Sequence, residues 1–274
     1  AEGAYLQLVF FVASTLLMMM LNNTNSLIRI YSRMVSCSFV AMTCAATFLF
    51  SSLESCATGT CFILFYLSLL RSYQDKRAPG VAFYSFACLG IASLFFVQIL
   101  YFVPFLWILM ASNMMALTHR MFWATVLGLV MPYWFAVGYY VVTNQFDAFI
   151  DHFAELAQFE PLLQYEALDI HRIATFGLVV LLAVIGIIHY MRNSYLDKIR
   201  TRMIFEMFIT VDILSFVFII LQPQHFDNLL PIIIVNTSCL FAHYVALTRT
   251  WLTNVTFIVM CLATLGLTIF NLMP

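Results

Sequence analysis

Apolar residues in this sequence come in long unbroken runs, not in alternation with polar ones. The runs predict spans at about 4–21, 34–50, 57–70, 81–97, 101–117, 122–142, 173–190, 204–221, 230–247 and 252–271. In hydrocarbon the backbone must satisfy its own hydrogen bonds, so a spanning segment is either a helix or a strand of a closed barrel. Barrel strands alternate apolar and polar positions, and these runs do not. The pattern therefore predicts an all-α fold, a polytopic transmembrane helix bundle of about ten spans. Residues 81–117 contain no charge. As one helix they would extend about 55 Å, nearly twice the hydrocarbon thickness. The chain must fold back there, and Gln98 marks the weakest point.

The pattern changes character only over 143–172. Phe146, Phe149, Ile150 and Phe153 recur at helical spacing, while Asp147, Asp151 and Glu155 recur every four residues on another face. This predicts an amphipathic helix lying on the membrane surface and ended by Pro161. The remainder reads as a single integral membrane domain over 1–274.

Composition agrees: 64% of residues are hydrophobic and 9% are charged, against about 25% charged in a soluble domain. The net charge of −1 says little, but the positions of the charges orient the chain. Arg29, Arg33, Arg71, Lys76, Arg77, Arg120, Arg192, Lys198, Arg200, Arg202 and Arg249 all fall on one side of the expected spans. The positive-inside rule makes that side cytoplasmic. Arg172 alone falls opposite, with Glu54, Asp147, Asp151, Glu155, Glu160, Glu166, Asp169 and Asp227. The 143–172 loop and its helix are thus expected on the outer side. Residue 1 is expected there too, and a first helix entering from outside leads us to expect at least one further span upstream. No basic patch is large enough to suggest nucleic acid. The seven cysteines form no zinc pattern. Cys37, Cys44, Cys88, Cys239 and Cys261 read as small packing residues, and Cys56 and Cys61 leave a disulfide open.

Three groups of residues are candidates for chemistry. Arg172, level with lipid headgroups, suits a phosphate, which a guanidinium holds in a bidentate way. His171 stands beside it, and Asp147, Asp151 and Glu155 would then be base or metal groups. The plainer alternatives are a salt bridge from Arg172 to Asp169 or Glu166, and a solvated acidic face. Asp212 lies within a span, where a carboxylate is expensive and suggests a proton or cation site, or a polar clamp between helices. Glu206 is nearer the cytoplasmic end and is spaced to pair with Arg202. His189 and His243, near the cytoplasmic ends of their spans, read as hydrogen-bonded residues. The chain has no Walker loop, no Gly-x-Ser-x-Gly elbow and no His-Glu-x-x-His. No cofactor is evident, and a divalent cation is left open.

The segment Asn22–Arg33 (NNTNSLIRIYSR) leads into an apolar pair, followed by Arg71–Arg77 (RSYQDKR) and Gly90–Met110 (GIASLFFVQILYFVPFLWILM). After the basic turn at Thr118–Arg120 comes Ala124–Asn144 (ATVLGLVMPYWFAVGYYVVTN). This layout, over roughly 5–145, resembles a multi-pass inner-membrane family of Bacteroidetes with no assigned chemistry. It is also distantly similar to the membrane module of polyprenyl-phosphate-dependent (GT-C-like) glycosyltransferases. That class carries its catalytic carboxylate in a first outer loop, which has no counterpart here, so no residue takes that role by motif. The resemblance implies a bacterial inner-membrane protein of envelope biogenesis that handles a lipid-linked sugar at the outer face, with a polyprenyl-phosphate lipid as partner. Two other readings stand beside it. One is a proton- or cation-coupled transporter or flippase using Asp212. The other is a non-catalytic subunit held among other membrane chains.

Overall fold

The computed structural model of the protein describes residues 2–158, 168–248 and 250–272. Among them are eleven α-helices: α1 (Glu2–Asn25), α2 (Met34–Ala45), α3 (Leu53–Leu69), α4 (Pro79–Phe95), α5 (Val103–Ser112), α6 (His119–Val142), α7 (Phe146–Ala157), α8 (Ile170–Asn193), α9 (Ile199–Leu221), α10 (Phe226–Leu247) and α11 (Trp251–Leu272). Each expected span overlaps a helical segment, although 34–50 is interrupted at Ala46 and 101–117 runs past the end of α5 at Ser112. Seven are long and apolar enough to cross a membrane, and three apolar segments, Met34–Ala45, Pro79–Phe95 and Val97–Ser112, are shorter. The chain is an α-helical protein with multiple apolar, membrane-capable helices. Pro161, Glu160, Glu166 and Arg249 lie outside the described residues.

The chain divides into two compact units, Ala57–Leu162 and Ala1–Cys56 with Leu163–Pro274. In the Ala57–Leu162 unit, the uncharged stretch does fold back. Helix α4 stops at Phe95, Phe96 adopts an extended conformation, and a 3-10 segment, Val97–Phe102, carries the buried Gln98. The break thus starts just ahead of the expected point. The backbone N–H of Gln74, before α4, donates to the carbonyl of Met114, after α5, at 2.9 Å. The chain therefore leaves and returns to one end of this unit, the end that also carries Arg71, Lys76, Arg77 and Arg120.

Helices α4 and α6 approach closely because each has a glycine at the crossing. A Cβ on Gly90 would stand 2.6 Å from the carbonyl oxygen of Leu129, and one on Gly128 would collide with the carbonyl oxygen of Phe83. Small residues that let backbones meet are the usual glue of helices in lipid. Pro132 adds to the contact as well as leaving one α6 carbonyl without its helical donor.

In the other unit α10 is central and packs against α2, α8 and α9. Its apolar stretch is 83% buried, whereas that of α11 is 6% buried. An all-round apolar helix is stable inside a bundle or facing lipid, and these two helices occupy the two extremes. Gly186 of α8 meets α10, where an added Cβ would stand 2.9 Å from the backbone of Leu240.

Both ends of this unit are pinned by polar clusters. At one end Arg172, Asp169, Asp227 and Asn271 gather. At the other are the end of α1, the 26–33 loop, the α8–α9 turn and the end of α10, with Arg29, Arg33, Arg192, Lys198, Arg200 and Arg202. We call this second one the basic end.

Candidate functional site

The expected helix over the 143–172 loop is present as α7, and its geometry follows from its two faces. Phe149 and Phe153 pack on Tyr133 at ring-centroid distances of 6.5 and 5.0 Å. His152 Nε2 lies 3.0 Å from the carbonyl oxygen of Ser93, and the Tyr101 hydroxyl donates to the carbonyl of Leu156. That docked face leaves Asp147, Asp151 and Glu155 exposed along the opposite one. Among the described residues no group of three or more His, Cys, Asp and Glu is arranged to hold a metal ion.

Arg172 is heavily engaged. Its Nε and one terminal nitrogen each donate to Asp227 at 2.9 Å, a bidentate pair, and the other terminal nitrogen donates to Asp169 at 2.7 Å. Its guanidinium carbon also lies 5.3 Å from the ring centroid of Phe48. The pair with Asp169 was legible in the sequence. The stronger one with Asp227, fifty-five residues away, was not. His171 Nδ1 meets Asn271 Oδ1 at 3.1 Å, and Asn271 donates to the Ala45 carbonyl at 2.7 Å. Together these bonds tie α8, α10, α11 and α2.

Asp212 is completely buried on α9. It accepts a hydrogen bond from Thr237 of α10 at 3.0 Å through one oxygen, and the other oxygen, Oδ1, has no hydrogen-bond partner. Glu206, half-buried, is six residues earlier and so on a different face of α9. The structure therefore does not join these two carboxylates into one site.

The site that sequence reading missed lies at the basic end. A cavity of about 430 Å³ is lined by Asn22, Asn23, Ser26, Arg29, Tyr31, Ser32, Lys198 and Thr201, with Ile28, Ile30 and Leu196. Ser26, with φ of 49°, ends α1 in the left-handed region and turns the chain along the cavity wall. Asn22 is 6% exposed. Its Nδ2 donates to the Ser32 carbonyl at 2.8 Å, which fixes the amide orientation, and its Oδ1 has no partner.

Lys198 and Thr201 flank the first turn of α9, and no side chain caps that helix. The positive end of the helix dipole therefore faces the same region as the two cations. Arg29 is held in place from behind. Its Nε lies 2.8 Å from Oδ1 of Asp197, whose side chain is fully buried while that of Arg29 is 34% exposed.

His243 Nε2 meets the second oxygen of Asp197 at 3.1 Å. A neutral imidazole donating that N–H leaves the Arg29–Asp197–His243 trio without net charge, which suits its burial. His189, a 5.6 Å ring neighbour of His243, has its Nε2 3.1 Å from the Thr248 hydroxyl. The expectation that both histidines are hydrogen-bonded residues matches these bonds. The one sequence signal for the site was Asp197 itself, a single acid within the basic stretch from Arg192 to Arg202. In the structure that acid contacts Arg29.

Comparison of the chain with known protein families, with curated proteins and with solved structures found no match.

Proposed function

We propose that this protein is an integral membrane protein that holds the anionic, phosphate-bearing headgroup of a lipid in the cavity at its basic end. The observation that carries this reading is the convergence of Arg29, Lys198 and the N-terminus of α9, which no side chain caps, on one cavity. The cations and the helix terminus suit a phosphate. Asn23 and Ser26, both exposed, also line the cavity and can bond ligand hydroxyls. A phosphate joined to a polyol or sugar supplies both groups. A lipid-linked sugar of envelope biogenesis, with a polyprenyl-phosphate carrier, belongs to that chemical class.

By the distribution of basic residues this end faces the cytoplasm, in an inner membrane crossed about ten times with α7 on the outer face. The reading moves the phosphate away from Arg172, whose donors already go to two carboxylates. The test is native mass spectrometry of the detergent-solubilised protein with phosphatidylglycerol, an anionic phosphodiester with a polyol head, against zwitterionic phosphatidylcholine. Preferential retention of phosphatidylglycerol, lost when Arg29→Gln and Lys198→Gln are combined, supports the reading. Equal retention of both lipids, or no loss in the double variant, overturns it.

A second reading, a proton- or cation-coupled carrier, rests on Asp212. A fully buried carboxyl with one oxygen unpartnered is an expensive feature to keep within a span. Its test is substrate-driven proton uptake in proteoliposomes, which Asp212→Asn must abolish.

A further inference from the structure

The groove between α2 and α11 has an unusual wealth of sulfur. It encloses about 310 Å³, and five of its eleven lining residues are Met34, Cys37, Met42, Met260 and Cys261. With seven cysteines and fifteen methionines in 274 residues, chance would put about one there.

The helix register brings the backbone positions of four of these residues to within about 5 Å of one another in height. Asn271 bonds to the carbonyl of Ala45, and Thr47 bonds to the carbonyl of Asn271, so the far ends of α2 and α11 coincide. Both helices run toward that point from the basic end, and they pack on one another. Counting back equally from Ala45 and Asn271 reaches Met34 and Met260. Cys37 and Cys261 then differ in height by only about 3 Å. Both cysteines are free and exposed in the open groove. Ser38, 5% exposed, also lines it, and its hydroxyl has no hydrogen-bond partner.

We propose that this groove is a binding site for a soft monovalent metal ion of the Cu(I) class, independent of the lipid site. Thiolate and thioether sulfurs select such ions, and no carboxylate or imidazole lines the groove to favour a harder one. One cysteine thiol passes its proton to water released from the ion's hydration shell and forms the metal–sulfur bond as a thiolate. Its single negative charge neutralises the ion, and the uncharged thioethers of Met34 and Met260 complete the coordination. The result is a neutral complex, the form an apolar groove admits at least cost. A divalent zinc ion would need further anionic ligands to reach neutrality. The plain alternative is that these sulfurs only fill space, as methionine does in many cores.

The experiment uses silver(I), a redox-inert stand-in for Cu(I), on the reduced full chain in detergent. After incubation and desalting, silver per chain is measured by mass spectrometry of the metal. Stoichiometric silver in the wild type and in Cys44→Ser/Cys88→Ser, lost in Cys37→Ser/Cys261→Ser and reduced in Met34→Leu/Met260→Leu, is the expected result. Wild type that retains no silver, or a Cys37→Ser/Cys261→Ser variant that retains as much as wild type, overturns the proposal. If the cysteine variant does not fold, X-ray absorption of the silver-loaded wild type decides. A sulfur neighbour lost from the first shell in silver-loaded Met34→Leu/Met260→Leu supports the site, and a shell identical to that of the wild type overturns it.

Discussion

Arg29 and Asp197 come from different inter-helix turns, yet Nε of one lies 2.8 Å from Oδ1 of the other at the wall of the basic-end cavity. The carboxylate is buried and the arginine is partly exposed, so the two partners are not equivalent on removal. Asp197→Asn leaves Arg29 able to reach solvent, while Arg29→Ala strands a buried carboxylate with only His243 beside it. Losing one partner of a fully buried pair costs about 3–5 kcal/mol. We expect Arg29→Ala to approach that range and Asp197→Asn to cost less, about 2 kcal/mol, because the remaining charge can hydrate. Thermal unfolding in detergent measures the order of the two variants. The reverse order would show that Asp197 is not the dependent member.

The glycines differ sharply in what surrounds them, and their substitutions should differ accordingly. Gly128→Ala places a methyl group against the carbonyl of Phe83, and Gly186→Ala places one 2.9 Å from the backbone of Leu240. Both force a helix pair apart, and overpacking of this kind costs about 1–3 kcal/mol. Gly138 and Gly177 have nothing within 4 Å of an added Cβ. Alanine there should be neutral or stabilise by up to about 1 kcal/mol through helix propensity. Unfolding midpoints of the four variants test this, and equal effects would rule out the close helix crossings.

The Arg172–Asp227 pair makes an experiment at its end of the unit decisive in a different way. A double-mutant cycle with Arg172→Ala and Asp227→Ala should give a coupling of about 1 kcal/mol or more, since the bond is bidentate and partly buried. If Arg172 were instead chiefly a phosphate ligand, Arg172→Ala would remove lipid binding with little coupling to Asp227.

Asp212→Asn keeps an acceptor for the Thr237 hydroxyl and removes the charge-bearing group. Stability should change by no more than about 1 kcal/mol, whereas Asp212→Leu should cost more by leaving Thr237 without its acceptor. Equal destabilisation by both would indicate that the carboxyl, and not the hydrogen bond, holds α9 to α10.

The sequence made most of the helices legible because their cause is local: long apolar runs and turns marked by charge. The return of the chain near Gln98 was legible for the same reason, since an uncharged stretch of that length has to reverse. The sites were less legible because they depend on which turns meet. Asp227 and Arg172 start helices far apart in sequence, and only the bundle brings them together. Asn22, Arg29 and Lys198 read separately as the end of one span, a topogenic arginine and a topogenic lysine. Their convergence around one cavity belongs to the tertiary structure. Cys37 and Cys261 likewise read as packing residues until the α2–α11 register brings them nearly level.

The most direct test of the lipid site is photo-crosslinking in nanodiscs with a phospholipid carrying a diazirine in its anionic headgroup, followed by peptide mapping. Headgroup adducts concentrated on residues 22–32 and 196–201, and reduced by combined Arg29→Gln and Lys198→Gln, are the expected result. Adducts centred on residues 169–172, or spread evenly over both ends of the bundle, would contradict the assignment of the headgroup to the basic-end cavity.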